Sequence, residues 1–205
     1  MKSAGELPGI LLRIPLIPIE GLFPRRVAVG PLFGLRGPFT AGDTATIKIP
    51  QFLLPSVKAG RFNIPAIKAL YAAEDEGTAE EEVYQHSGLA GVKSERPPDA
   101  VYQVEVRLQS VLDLTEMGII YELNSTPSEL VAAWRPLSPA APTQILGQAA
   151  YGSGRIEGIR YYSAPATRKA ATRKCLVVFP DRLRSGSRIT LVDPFGTFKE
   201  EIACK

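Results

Sequence analysis

Val101-Tyr102-Gln103-Val104-Glu105-Val106-Arg107-Leu108-Gln109-Ser110-Val111-Leu112 decides the fold class. Val104, Val106 and Leu108 fall on one side of this stretch and Gln103, Glu105 and Arg107 on the other, the period of a half-buried β-strand. Working outward, Ala69–Ala73 is a short apolar run that reads as a buried strand. Asp75-Glu76-Gly77-Thr78 opens a helix through about Ser87, with Asp75 as N-cap, Thr78-x-x-Glu81 as a later alternative start and Gly88 as its stop. Ser128–Trp134, capped by Thr126 or Ser128, and Thr143–Tyr151 read as helices. Gly158–Tyr162, Cys175–Phe179 and Arg188–Val192 read as strands, and Phe195–Ala203 as a last one. Strands with two or three helices and no regular βαβ alternation predict an α+β fold around a mixed sheet, in a single domain over 1–205.

The N-terminal third is harder to read. Eighteen prolines and eighteen glycines in 205 residues are dense, and they crowd between residues 8 and 65. Leu11–Ile19 is expected to be a strand broken by prolines, and Phe23–Gly42 mostly loop. Arg13, Pro15 and Pro18 interrupt the apolar stretch Ile10–Ile19, so neither a secretory leader nor a membrane span is expected. Two cysteines, Cys175 and Cys204, make no disulfide framework and fit a reducing compartment.

His86 is the single histidine, which removes histidine-rich metal sites and most Ser–His and Cys–His pairs. No phosphate-binding glycine loop of either common type is present. An enzyme built from this chain works with Arg, Glu, Asp, Tyr or Ser and no metal. Gly60-Arg61-Phe62-Asn63 places a planar cation beside a flexible backbone position, suited to a phosphate or carboxylate; the plain alternative is a loop arginine on a surface carboxylate. Tyr71 is a stacking ring or a core tyrosine. Thr78, Glu82 and His86 share a helix face at i, i+4 spacing. Of Glu80-Glu81-Glu82, Glu82 lies nearest the Val83 side and is the least solvated. Ser163 has no histidine partner and suits hydrogen bonding better than nucleophilic attack. Residues 155–174 hold six basic side chains against Glu157, a surface for phosphates or an acidic partner, or a solvated loop. Trp134, followed by Arg135, reads as core or a cation–π contact.

Gly60-Arg61-Phe62-Asn63, Ala69-Leu70-Tyr71-Ala72-Ala73-Glu74, Thr78-Ala79 with Glu82-Val83, and Gly158-Ile159-Arg160-Tyr161-Tyr162-Ser163-Ala164 resemble the RES family, named for its Arg, Glu and Ser. Val111–Thr115 and Cys175–Phe179 are similar as well, so the resemblance runs in order over roughly residues 58–192. It implies a fold like the ADP-ribosyltransferase toxins and the role of toxin in a bacterial toxin–antitoxin module. It also implies consumption of NAD+, by phosphorolysis in some members and by ADP-ribosylation of a protein in at least one. On that resemblance Arg61, Tyr71, Glu82 and Ser163 form the catalytic set, and Arg61, Asn63, Tyr71 and an upstream arginine bind the dinucleotide. Arg36 is the choice for the upstream arginine, ahead of Arg13. NAD+ is then substrate and not cofactor, with inorganic phosphate as co-substrate. An antitoxin is the expected partner, the cytoplasm the expected location, and neither membrane nor nucleic acid is expected to bind. A net charge of +3 and the lack of an aromatic-interleaved basic stripe weigh against the competing reading, a non-catalytic basic binding module.

Overall fold

The structure, a computed structural model, describes residues 1–28, 53–86, 99–134, 140–164, 172–193 and 199–204. Arg36, Gly88, Arg135 and the His86 side chain lie outside the described residues. The alternating stretch forms β3 (Asp99–Asp113), and its apolar side is buried: Val104 and Val106 are fully covered and Leu108 nearly so. Burial of such side chains contributes about 1.5–3 kcal/mol each. Around β3 the sheet collects β1 (Ile17–Ala28), β2 (Leu70–Ala73), β4 (Gly158–Tyr162), β5 (Lys174–Val178), β6 (Arg188–Val192) and β7 (Glu201–Ala203). The strand order is β2-β5-β4-β3-β6-β7, with β1 along the other edge of β3. The pairings are antiparallel except for β3 with β4. The mixed-sheet α+β expectation holds.

β3 divides its free edge between two partners. Gln103–Arg107 pair with β6, and Val111–Asp113 pair with β4. At the fork the register with β1 slips: Ile19 faces Leu108 and Ile17 faces Val111, so β3 carries one extra residue there. This bulge bends the strand and turns the Gln109 and Ser110 amides onto one acceptor, the Glu157 carboxylate, at 2.7 and 2.8 Å. The second Glu157 oxygen accepts from the Arg184 amide at 2.6 Å. Glu157 is therefore a fully buried plug in the sheet and not the lone acid of a basic loop.

Cys175 and Val177 face one core and Leu176 and Val178 the other, so both faces of β5 are covered. This is why that strand is an unbroken apolar run. On the Cys175 face lie α1 (Leu7–Leu11), α3 (Met117–Glu122), α4 (Pro127–Val131) and α5 (Pro142–Gly152), which supply Leu11, Ile120, Leu130 and Leu146 to that core. α2 (Glu76–His86) starts as expected: Asp75 accepts from the Thr78 amide at 2.9 Å and from its hydroxyl at 2.6 Å.

Three expectations need correction. Leu11–Ile19 is not one broken strand. Pro8 sits in the first turn of α1, where its missing N–H costs nothing, and strand structure begins at Ile17. Residues 23–28 are not loop but the second half of β1. That strand tolerates Pro18 and Pro24 because β3 is its single ladder partner, which leaves an edge where no donor is required. The last strand is confined to Glu201–Ala203; residues 194–198 lie outside the described residues. α3 appears without having been expected.

Candidate active site

The turn that carries Arg61 is held by Asn63. Its amide nitrogen donates to the carbonyls of Lys58 (2.8 Å) and Ile67 (3.0 Å), and its oxygen accepts from the Tyr71 hydroxyl at 2.8 Å. The Tyr71 hydroxyl in turn accepts from the Phe62 amide at 3.0 Å. A Cβ on Gly60 would stand 2.5 Å from the Asn63 oxygen and 2.6 Å from the Tyr71 hydroxyl, so only glycine fits there. From α5, Gln144 donates to the Gly60 carbonyl at 3.0 Å. Gly147 lets the helix lie directly on the Phe62 backbone, since any Cβ there would overlap the Phe62 carbonyl. The motif is thus a clamp between β2 and α5. Asn63 is fully buried and lies outside the cavity lining. Its bonds hold Tyr71 and the turn in place.

Beside this turn lies a cavity of about 410 Å3, within the roughly 300–1,000 Å3 of small-molecule sites. Arg61, Tyr71, Glu82, Tyr161 and Cys175 line it, together with Arg25 and Arg26 from β1, Lys58, Trp134 and a wall of alanines. The Tyr71 hydroxyl is turned onto the Gly60–Asn63 clamp, so the residue offers the cavity its ring. Burial pushes the Tyr71 phenol well above the ordinary tyrosine range, with Arg61 pulling the other way and Glu82 adding to the rise, so the phenol is neutral at physiological pH. The Tyr161 ring packs against Phe62 behind it, centroids 4.7 Å apart and planes tilted by 59°.

Arg61 is not a surface arginine on a carboxylate. It is 8% exposed, and its Nη1 donates to the carbonyls of Leu130 (2.9 Å) and Ala132 (2.8 Å) at the end of α4. These partners fix the guanidinium plane. They also fasten the segment that delivers Trp134 to the cavity, so Trp134 is a lining residue and not core.

The acidic triplet separates cleanly. Glu80 turns to Arg26 (3.4 Å) and Glu81 to Arg173 (3.8 Å). Glu82 turns into the cavity, where its Oε1 accepts from the Ser163 hydroxyl at 2.8 Å. Ser163 is fully buried and lies outside the lining, which it meets through this bond to Glu82. Of the two upstream arginines, Arg13 is exposed in the turn after α1 and away from the cavity. The upstream cations that do reach the lining are Arg25 and Arg26. Arg25 donates to the Tyr71 carbonyl at 2.9 Å, joining β1 to β2 as the sheet curls round. Their segment, with its prolines, carries no sequence signal for a strand, and this hid them. Among the described residues the cavity therefore gathers four basic side chains, Arg25, Arg26, Lys58 and Arg61, around the carboxylate of Glu82.

A shallow depression of about 440 Å3 over β1, β3 and β6, lined by Glu20, Arg107, Gln109 and Arg188 among others, has no aromatic wall and none of the sequence-selected residues. Among the described residues no group of three His, Cys, Asp or Glu could hold a metal ion, and no helix is long and apolar enough to cross a membrane.

Among the described residues, the curled mixed sheet holds an aromatic-walled cationic cavity around one braced carboxylate, an arrangement whose chemistry suits an anionic, ring-bearing small molecule. The RES domain family model matches residues 35–199, and the chain belongs to that family. No curated protein matches the sequence. The fold is similar to a chain in the crystal structure of the M. tuberculosis MbcT–MbcA toxin–antitoxin complex, with a TM-score of 0.62 and 16% identity over 98% of this chain and 93% of that one.

Proposed function

We propose that the protein is a toxin that destroys NAD+ by breaking the nicotinamide–ribose bond, with inorganic phosphate as the acceptor. The observation that carries this reading is the convergence of Arg61, Tyr71 and Glu82 on one cavity, with Ser163 bracing Glu82. Nicotinamide in NAD+ is a pyridinium. When its bond to C1″ of the ribose breaks, the electron pair stays on the ring nitrogen and a neutral molecule leaves. No general acid is needed, and the absence of a catalytic histidine is no obstacle. The ribose left behind develops oxocarbenium character, which a fixed carboxylate stabilises as in glycoside hydrolysis. A phosphate oxygen then supplies the new pair at C1″, giving ADP-ribose-1″-phosphate.

Each residue has a part in this scheme. Glu82 faces the anomeric carbon and the ribose hydroxyl. The Tyr71 ring packs on nicotinamide or its ribose. Arg25, Arg26, Lys58 and Arg61 take the diphosphate and the incoming phosphate. The RES family and the similarity of fold to one chain of a toxin–antitoxin complex support an antitoxin partner, which would act where NAD+ is abundant, in the cytoplasm. The basic-module reading loses ground. Arg155 is spent on the carbonyls of Leu11 and Leu12 at the end of α1, and Arg160 on Glu74 (2.6 Å) and Asp113 (3.2 Å). Residues 165–171 lie outside the described residues.

The test is nicotinamide release from NAD+ by purified protein, with and without phosphate, read with product masses. Phosphate-dependent release with a phosphorylated ADP-ribose product is expected. Free ADP-ribose would assign hydrolysis instead, a labelled protein would assign ADP-ribosylation, and no release at all would end the enzymatic reading. A second prediction uses Trp134, the chain's single tryptophan. ADP-ribose is expected to alter its fluorescence saturably, and Arg61→Ala to weaken that response by freeing the segment after α4. An emission indifferent to saturating ADP-ribose would remove Trp134 from the site.

A further inference from the structure

Cys175 sits in the middle of the sheet, with Ala73 of β2 as its register partner on one side and Tyr161 of β4 on the other. It is 1% exposed, yet it belongs to the cavity lining. Its sulfur lies 3.7 Å from Oε1 of Glu82, the same oxygen that accepts from the Ser163 hydroxyl at 2.8 Å. The two donors come from different places, one from within β5 and one from the residue just past β4. A carboxylate held on one oxygen by two groups on rigid elements has little freedom to rotate.

We propose that the Cys175 thiol is a positioning donor to Glu82, which together with Ser163 fixes the angle at which the carboxylate meets its substrate. The assignment rests on the reading of Glu82 given above. Burial, with the Glu82 charge next in effect, pushes the thiol well above its ordinary range. The group is therefore S–H at physiological pH and able to donate. A thiol is also suited to this place. It packs against the apolar core of Ile159 and Val177 as a small hydrophobe, where a hydroxyl would be more costly to bury.

The experiment compares nicotinamide-release kinetics of Cys175→Ala, Cys175→Val and Cys175→Ser. Alanine and valine are expected to lower kcat about threefold to tenfold, the range of one modest hydrogen bond, with KM for NAD+ within about twofold of the parent. Serine, which keeps a donor, is expected to recover most of kcat. Parental kcat in the alanine and valine variants overturns the proposal, and so does serine performing no better than valine, because volume and not donation would then be what matters. A second measurement does not depend on turnover. In a Cys204→Ser background, a small neutral thiol reagent at pH 8 is expected to react several-fold faster with Cys175 when Glu82→Gln removes the neighbouring charge. An unchanged rate overturns the contact. Should the parent release no nicotinamide, the reading of the reaction falls, and the thiol rates alone decide whether Cys175 bonds Glu82.

Discussion

Glu82→Ala is expected to lower the rate of nicotinamide release by a factor on the order of a hundred to a thousand, the usual loss when a group aimed at developing charge is removed. Glu80→Ala and Glu81→Ala should each cost much less than Glu82→Ala, because neither carboxylate lines the cavity: Glu81 pairs with Arg173, and Glu80 meets the site through its pair with Arg26. Glu82→Gln separates charge from shape. Glutamine can still accept from Ser163 but brings no negative charge to the oxocarbenium-like ribose, so its loss should approach that of alanine. The fold should not suffer. Alanine takes away the acceptor of the buried Ser163 hydroxyl, so the thermal midpoint of Glu82→Ala is expected to fall modestly, by no more than about 1–3 kcal/mol of stability, with the native fold retained. Near-parental turnover by a well-folded Glu82→Ala protein would overturn the proposed chemistry, whatever the behaviour of the other variants.

The triplet shows what the sequence could and could not convey. That Glu82 differs from its neighbours is legible from helical spacing, since a step of one residue turns the side chain by about 100°. The destinations of Glu80 and Glu81 are not legible, because Arg26 arrives from β1 and Arg173 from the residue just before β5, both remote in sequence. The same division holds for the fold. β3, β4, β5, β6, α2 and α5 announce themselves through alternation, apolar runs or caps, all local properties. β1 does not, because Pro18, Gly21 and Pro24 mark a turn in isolation and become harmless on a strand with a single ladder partner. With β1 unread, Arg25 and Arg26 were invisible as site residues. Trp134 and Cys175 were hidden differently: each looks like ordinary core until the sheet curls and the Arg61 clamp closes. Arg61, Tyr71, Glu82 and Ser163 could be grouped from the family resemblance, and three of them line one cavity with the fourth bonded to it. Arg36 lies outside the described residues.

Glu157→Ala is expected to damage stability more than any cavity substitution, although the residue lies outside the cavity lining. Its carboxylate takes three backbone amides, those of Gln109, Ser110 and Arg184. Its own amide donates to the Ser110 carbonyl at 2.9 Å, and its carbonyl accepts from the Phe179 amide at 2.8 Å, so its backbone knits the same fork. β3 changes partners here, and neither β6 nor β4 reaches the bulge to take those amides. Alanine keeps the backbone bonds but leaves the buried Ser110 amide without this acceptor, at about 1–3 kcal/mol, and takes the charged acceptor from the part-buried amides of Gln109 and Arg184 as well. A loss of about 2–4 kcal/mol is then expected against a total stability of about 5–15 kcal/mol, and with it a thermal midpoint lower by roughly 4–16 °C. Glu157→Gln should fall between alanine and the parent. Its single oxygen can serve either the Gln109–Ser110 pair or Arg184, and its NH2 group then faces a donor. Glu116→Gln, at an exposed carboxylate, serves as the control and should shift the midpoint little. Thermal or urea unfolding of the three variants decides the matter. If Glu157→Ala unfolds with the parent, some other group satisfies the bulge, and the fork that brings β4 and Ser163 to the cavity is held together by something other than this buried acid.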